Sequence, residues 1–376
     1  MGEVDVVVVG GGAVGLMTAC LAASRGLDVV VVERRLERST RPKAIGVHAP
    51  GVLALAEVGV AAGLERQGAR ITAGEVGCLG RRLGRMRFAG ASAVLSVPQH
   101  VVEAALERRL GELAPGAMRR GYEVVRLVPG ADGVVAQLAD GAEIAARWAV
   151  VADGVRSSTR AGLGIAWRRR PGRAVYAMAD VAGPGDEVAR LFFEPGGVVE
   201  ALPLPGGRRW VAHLGRATDR GDPVAPSRFA AIVHERVGVR LDDRAVEPST
   251  FEARQHLAGR FDRGRVALAG DAAHEVSPIG GQGMTLGFLD ALALGDAIGE
   301  AAAAERRGAP IEHPFAGYGR RRRRAARRAC RRARFNMAMG APARGIRLVM
   351  RNSAVRLLGV PPMRGLLAQV FTMRGL

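Results

Sequence analysis

The chain is 376 residues long, with 48% hydrophobic content and a formal net charge of +19. That apolar share, with a mean hydropathy of +0.08, excludes a disordered chain; at roughly 150 residues per domain the length suits two or three domains. The charge is uneven: residues 315–376 carry 16 Arg and no acid, which leaves the first 314 close to neutral. Lys43 is the only lysine, so the Arg content reads as a coding bias rather than selection for guanidinium forks. Cys20, Cys78 and Cys330 share neither disulfide nor metal-ligand spacing, and no metal is expected. A reduced, cytoplasmic setting is the default reading. Glu3 and Asp5 stand where an export signal would be basic. The uncharged run of residues 6–24 is long enough to pass for a membrane span, but Gly10, Gly11 and Gly12 interrupt it. Strand, tight turn and helix are expected there instead.

Val4–Val9 has the β-branched content and length of a central parallel strand. The next six residues, Gly10-Gly11-Gly12-Ala13-Val14-Gly15, match G-x-G-x-x-G. A helix is predicted to about residue 25, with Gly26 past its end, then a second strand over 27–32 closed by Glu33. Gly10 permits the turn, Gly12 lets a pyrophosphate approach the backbone, and Gly15 allows close helix–strand packing. The helix N-terminus offers unpaired N–H groups to phosphate, and Glu33 can accept from ribose hydroxyls. A ligand-free βαβ turn is the plain alternative, and the fingerprint alone does not separate NAD from FAD.

Residues 265–271 read RVALAGD, an apolar strand ending in Gly270-Asp271. Pro278, Gly280, Gly281, Gln282, Gly283 and Met284 follow, and then a helical pattern to about residue 304. A carboxylate at a strand's carboxyl end faces the ligand crevice of an α/β sheet. The glycines let a flat ring lie on backbone, and the new helix points its positive end at that ring.

With Val151-Ala152-Asp153-Gly154-Val155-Arg156 in mid-chain, these motifs carry a family likeness over about residues 4–300. The sequence resembles the single-component FAD-dependent aromatic hydroxylases, the p-hydroxybenzoate hydroxylase-like flavoprotein monooxygenases. The resemblance implies bound FAD, transient NADPH or NADH, and O2 as co-substrate. It places Asp153 and Gly154 near the pyrophosphate, Asp271 on ribityl oxygens, and Pro278 with residues 280–284 beside the isoalloxazine. Ala13, Val14, Arg34 and Val124 join the expected FAD contacts. Lys43 stands at the family's Arg-Ala step, and Gln99, ahead of a helix over 101–113, where a family Gln or Arg reaches the cofactor. An ordinary N-cap-region role is equally open for Gln99. Thr285 replaces a customary Asn and could cap its helix. The activity implied is hydroxylation of an electron-rich phenol, polyketide-derived or alkylresorcinol-like, through a C4a-hydroperoxyflavin.

The fold expected is α/β, α+β overall: a Rossmann-type FAD-binding domain with an inserted β-meander, an antiparallel-sheet substrate domain and a C-terminal helical segment. The first comprises residues 1–71, 98–166 and 259–314, with meander strands over 121–128, 133–138 and 143–152 split by Asp-Gly turns. The second comprises 72–97 and 167–258, with strands near 191–193 and 197–204. The basic segment is 315–376. His48 and His213 are the candidate side chains for accepting a phenolic proton, against ordinary structural histidines. His274, inside the late motif, reads as structural.

Ten arginines fall within residues 320–334, most simply a solvated helix covering the domain surface. With few aromatics to stack bases, no nucleic-acid partner is expected. Residues 346–371 mix Leu, Val and Met with Arg, as in a helix peripheral to a membrane or over a greasy channel. The partner expected is a small aromatic or lipid-like substrate; no oligomeric state follows. Two rivals stand beside the hydroxylase: a flavin-dependent isoprenoid reductase of geranylgeranyl type, which needs no oxygen, and a non-enzymatic anionic-surface binder acting through the Arg-rich tail.

Overall fold

Valine dominates the centre of the first sheet. Val4–Val9 pairs in parallel with Val29–Glu33 on one side and Glu143–Val151 on the other. Met118–Arg120 and Val266–Leu268 extend the two flanks, also in parallel. Asp262–Arg263 closes one edge antiparallel. Burial on both faces is why the inner strands read as continuous apolar runs rather than alternating ones. In this computed structural model the described residues are 3–39, 44–88, 93–215, 224–309 and 311–358.

Glu143–Val151 serves two structures. Its first residues pair antiparallel with Val134–Leu138, itself paired with Val124–Pro129, while its later residues pair with Val4–Val9. The meander therefore grows from the same strand that delivers residues 152–154 to the sheet's carboxyl edge. Gly141, with φ +87°, supplies the left-handed backbone of its last turn.

A second sheet has seven strands: Ser249–Ala253, Ala174–Ala182, Gly207–Gly215, Gly197–Leu204, Val188–Glu194, Ala73–Cys78 and Arg81–Arg87, in that order. One face, with Ala177, Val199, Trp210 and Ala212, packs on the helix Pro226–Val237. The alternate residues point the other way, because side chains on a strand alternate with period two. The sequence led to antiparallel pairing throughout, but Val188–Glu194 and Ala73–Cys78 run parallel. The hairpin of residues 73–87 arrives from a distant part of the chain, so no tight turn forces it to reverse against its neighbour. The helix Pro226–Val237, inside the segment expected to form the substrate-domain sheet, was not among the expected elements. Its markers were Pro226 in the first turn and Gly238, φ +73°, at its end.

The Arg-rich segment forms the helix Ala316–Gly340, which buries Tyr318, Arg322, Ala325, Ala329 and Ala333 along one face. The Tyr318 hydroxyl donates to the Leu268 carbonyl at 2.7 Å, fastening this helix to the parallel sheet. A further helix, Gly345–Leu358, docks through buried Arg351, which donates to the carbonyls of Met339 and Ala341. Its Ile346, Val349, Met350 and Leu357 are exposed. The remainder of the 346–371 stretch lies outside the described residues. No described helix is long and apolar enough to cross a membrane.

Helix Ala13–Ala23 crosses Gln282–Arg306 at a contact that only glycine permits. A Cβ on Gly287 would overlap Cγ2 of Val14, and one on Gly295 would sit 3.1 Å from Leu21 Cβ. Gly287→Ala should cost about 1–3 kcal/mol by overpacking, read from urea unfolding. Adding Val14→Ala should recover part of that loss; strictly additive losses would contradict the contact.

Candidate active site

A cavity of about 820 Å³ lies where the four inner parallel strands end and the second sheet begins. Val9 and Gly10, Val32 and Glu33, Ala152 and Asp153, and Ala269 to Asp271 bring those four carboxyl ends to its wall, the usual ligand crevice of such sheets. Of the expected site residues, Gly10, Gly12, Ala13, Val14, Glu33, Arg34, Gln99, Val124, Asp153, Gly154, Asp271, Pro278, Gly280, Gly281, Gly283, Met284 and His48 line it. Gly15 does not: a Cβ there would overlap the Gly10 carbonyl, so it keeps helix and strand together. Gln282 is buried and does not line it. Lys43 lies outside the described residues.

His213 is likewise off the cavity. It is buried edge-on to Tyr176, with Nδ1 accepting from the Gly215 N–H at 3.1 Å. Burial first, and the Arg236 charge second, pull its pKa down to about 4, so it is neutral near pH 7.

Two helices open onto the cavity by their N-termini. Ala13–Ala23 begins after Gly12 and Gln282–Arg306 after Gly281, and neither has a side-chain cap. Their first-turn N–H groups and dipoles favour negative charge at two places on one wall. Gly12 also leaves room: the nearest atom to a Cβ built there is 4.0 Å away. These features fit a dinucleotide with a flat ring at its far end. Glu33 tethers the first turn, accepting from the Gly11 N–H at 2.9 Å and from Arg35 N–H and Nε–H at 3.0 and 2.9 Å. Burial disfavours its charge, but those bonds outweigh it and hold the carboxyl below its ordinary range. Gln99 donates to Glu103 at 2.8 Å within the helix Gln99–Leu113.

The mid-chain and late motifs are tied by Arg160. It donates to the carbonyls of Val155 and Ala272 at 3.2 and 3.0 Å and sits 3.8 Å above the Trp167 ring. Burial raises the Asp153 carboxyl above its usual value, offset in part by the Ser157 and Thr159 hydroxyls.

Gly280 and Gly281 adopt φ +93° and +64°, backbone that side chains rarely tolerate. His48 Nε2 donates to the Gly280 carbonyl at 3.0 Å, which fixes the proton on that nitrogen. Its Nδ1 is buried, without a partner among the described residues. Burial lowers its pKa, partly countered by the bond to Gly280. Thr285 does not cap its helix: its hydroxyl accepts from the His48 N–H at 2.9 Å. From the Arg-rich helix, Asn336 comes so near that a Cβ on Gly280 would lie 2.8 Å from its Nδ2. No spacing in the sequence announces that contact.

Below the loop, Asp290 is fully buried. It accepts from His274 Nε2 at 2.5 Å, Arg322 Nε at 2.7 Å and the Gly270 N–H at 3.1 Å. Burial opposes its ionisation, but His274 and Arg322 overcome this and hold the carboxyl below 3.8. The stability it contributes is full above that value and lost as pH falls through the lower folded value. Asp290→Asn should cost about 3–5 kcal/mol, since Arg322 would stay buried without its counter-charge. The variant should also flatten the acid limb of stability against pH; an unchanged limb would contradict the pairing.

The second sheet supplies the opposite wall, largely apolar: Val76, Met178, Leu191, Leu202, Val211 and Phe251. Arg209 is held bidentate by Asp180 at 2.6 and 2.7 Å. Glu200, also on this wall, was not singled out from the sequence, although it is the lone charge of an apolar strand.

The family profile described as FAD binding domain matches residues 3–333. Rifampicin monooxygenase of Streptomyces venezuelae is 33% identical over 300 residues, 77% of this chain and 63% of that protein. Anhydrotetracycline monooxygenase of Streptomyces rimosus is 34% identical over 321 residues, 78% of this chain and 62% of that protein. The chain thus spans about three fifths of the length of these curated relatives. Among solved structures, p-nitrophenol 4-monooxygenase of Pseudomonas putida shares the fold, with TM-score 0.88, 23% identity and full coverage of both chains. The OxyS anhydrotetracycline hydroxylase of Streptomyces rimosus gives TM-score 0.78 at 29% identity, covering all of this chain and 77% of that one. By this match, and by relatives a third identical to it, the chain belongs to the FAD-binding domain family.

Proposed function

We propose that the chain is an FAD-dependent monooxygenase that takes electrons from NADH or NADPH and inserts one atom of O2 into an electron-rich aromatic ring. The observation that carries this reading is the single cavity joining two uncapped helix N-termini to the apolar wall of the second sheet. In it, Gly10, Gly12, Ala13 and Val14 bind the pyrophosphate through backbone N–H groups, beside Asp153 and Gly154. Glu33 and Arg34 take the adenosine end, and Asp271 the ribityl chain. Gly280, Gly281, Gly283 and Met284 border the ring, with Pro278 at its edge. When bound, the flavin supplies the redox chemistry: it accepts electrons from the nicotinamide and activates oxygen.

The protein's part is placement and dryness. His48 holds the loop by its bond to the Gly280 carbonyl, so the ring's border does not drift. The N-terminus of Gln282–Arg306 would favour negative charge on a ring held at that end of the cavity. The apolar sheet wall keeps water from the reacting oxygen. Val355, from the C-terminal helix, also lines the cavity, which suits a phenol with an apolar extension, polyketide-derived or alkylresorcinol-like. The relatives named for rifampicin and anhydrotetracycline support a bulky aromatic substrate.

In an oxygen electrode, the FAD-loaded protein with NADH or NADPH should consume O2 faster when phenols or alkylresorcinols are added. Heavy-oxygen O2 should leave one labelled atom in the product. Equal cofactor oxidation under anaerobic conditions, with a saturated polyprenyl product, would replace this reading with the isoprenoid reductase.

A further inference from the structure

Glu200 is the one acceptor side chain that the second sheet presents to the cavity among the described residues. It lies mid-strand in Gly197–Leu204, opposite Val211 on one neighbouring strand and Leu191 on the other, both lining the cavity. Val198 and Leu202 precede and follow it on the same face. Its exposure is 5%, and no hydrogen bond or ion pair reaches it among the described residues. The nearest cation by register on the same face is Arg209, opposite Leu202, whose guanidinium Asp180 holds bidentate. A carboxylate placed so in an apolar wall is costly, and a purely structural one would be paired. His48, the sequence's candidate for the same task, commits Nε2 to Gly280 and buries Nδ1.

We propose that Glu200 is the substrate-contacting base of this site, accepting the proton of a phenolic hydroxyl and thereby selecting ring substrates that carry one. The inference rests on the monooxygenase reading for its chemistry. The phenol O–H bond breaks, the proton passes to a Glu200 carboxylate oxygen, and the electron pair stays on the substrate as phenolate. No oxidant takes part in that step. The ring becomes electron-rich where electrophilic oxygen is to be delivered.

Burial alone pushes the Glu200 pKa up to about 7, which makes it a stronger base than an ordinary glutamate while leaving it ionised above neutrality. The accepting form is therefore lost as pH falls through that value. The groups facing it are Tyr176 and Asp180 on the strand beyond, His213 and Arg209 on the adjacent strand, and Arg85 on the sheet's edge strand, 3.5 Å from Glu75. The Tyr176 hydroxyl is raised by burial first and by the Glu200 charge second, so it stays protonated across this range. His213 is neutral there, titrating at about 4.

The test uses FAD-loaded full chain, with an alkylresorcinol and its dimethyl ether as probes, in wild type, Glu200→Gln and Glu200→Leu. FAD titration of each variant confirms that the cofactor site is intact. Wild type should bind the resorcinol more tightly than the ether, read by perturbation of flavin absorbance. Glu200→Leu should erase that preference. Glu200→Gln should keep part of the binding, lose at least ~100-fold in kcat, and flatten the rise in rate through pH 7. Resorcinol-stimulated O2 uptake that survives in both variants within about twofold, with the pH limb intact, would overturn the assignment and leave the monooxygenase reading standing. Glu200-dependent preference for the resorcinol without any O2 uptake would do the reverse. Equal binding of resorcinol and ether by wild type, or a preference for an aromatic amine cation, would also overturn it.

Discussion

The Asp290 carboxylate has no exposed surface and answers three donors from two other parts of the chain: the Gly270 N–H and His274 from one, Arg322 from the other. Around it meet the end of a parallel strand, the helix Gln282–Arg306 and the Arg-rich helix Ala316–Gly340. An unpaired carboxylate at that depth would be prohibitive, so the three elements hold together or lose stability together. The cavity inherits that constraint. Gly270 leads into Asp271, His274 leads into the Pro278–Gly281 turn, and the helix carrying Asp290 begins at the same turn. Much of the geometry of the Pro278–Gly281 turn is thus fixed from behind, by charges that do not line the cavity.

In front of that frame the electrostatics divide the cavity. One wall is backbone: two helix ends without side-chain caps and a series of glycines, with N–H groups in place of side chains. The other wall is side chain, and apolar apart from Glu200, Arg85 and the Asp180–Arg209 pair. A cofactor with charged phosphates and a polar-edged ring suits the first. A hydroxylated aromatic suits the second. FAD belongs to this family's description; under the proposed function, Glu200 and its neighbours on the second wall select the phenol.

The parts governed by local backbone chemistry were legible in the sequence. Gly10, Gly12 and Gly15, the Asp153-Gly154 step and the Gly270-Asp271 step each mark a strand end where only particular residues fit. The Val4–Val9 strand and the meander followed from apolar runs and Asp-Gly turns. What escaped depends on which faces meet. Alternation along Gly197–Leu204 shows that Val198, Glu200 and Leu202 share a face, but only the stacking of two sheets makes that face a cavity wall. Arg322 is one of ten arginines in a run, and nothing local separates the one that pairs with Asp290 from those in solvent. The helix Pro226–Val237 carries its end signals in Pro226 and Gly238, but its flanking segments have strand-like composition.

Gly12 offers the most direct measurement. Its backbone, φ −80° and ψ 177°, suits any residue, a Cβ there meets nothing closer than 4.0 Å, and it is the uncapped N-cap of the first helix. Gly12→Asp should gain a helix cap but set its carboxylate near Glu103, whose Oε1 is the atom 4.0 Å away, so apoprotein stability should change little, while a carboxylate enters the proposed pyrophosphate site. Equilibrium titration with FAD should give one flavin per wild-type chain and at least ~10-fold weaker binding in the variant, from charge placed against phosphate. Equal FAD affinity in the two proteins, with the variant as stable as wild type, would contradict the site described.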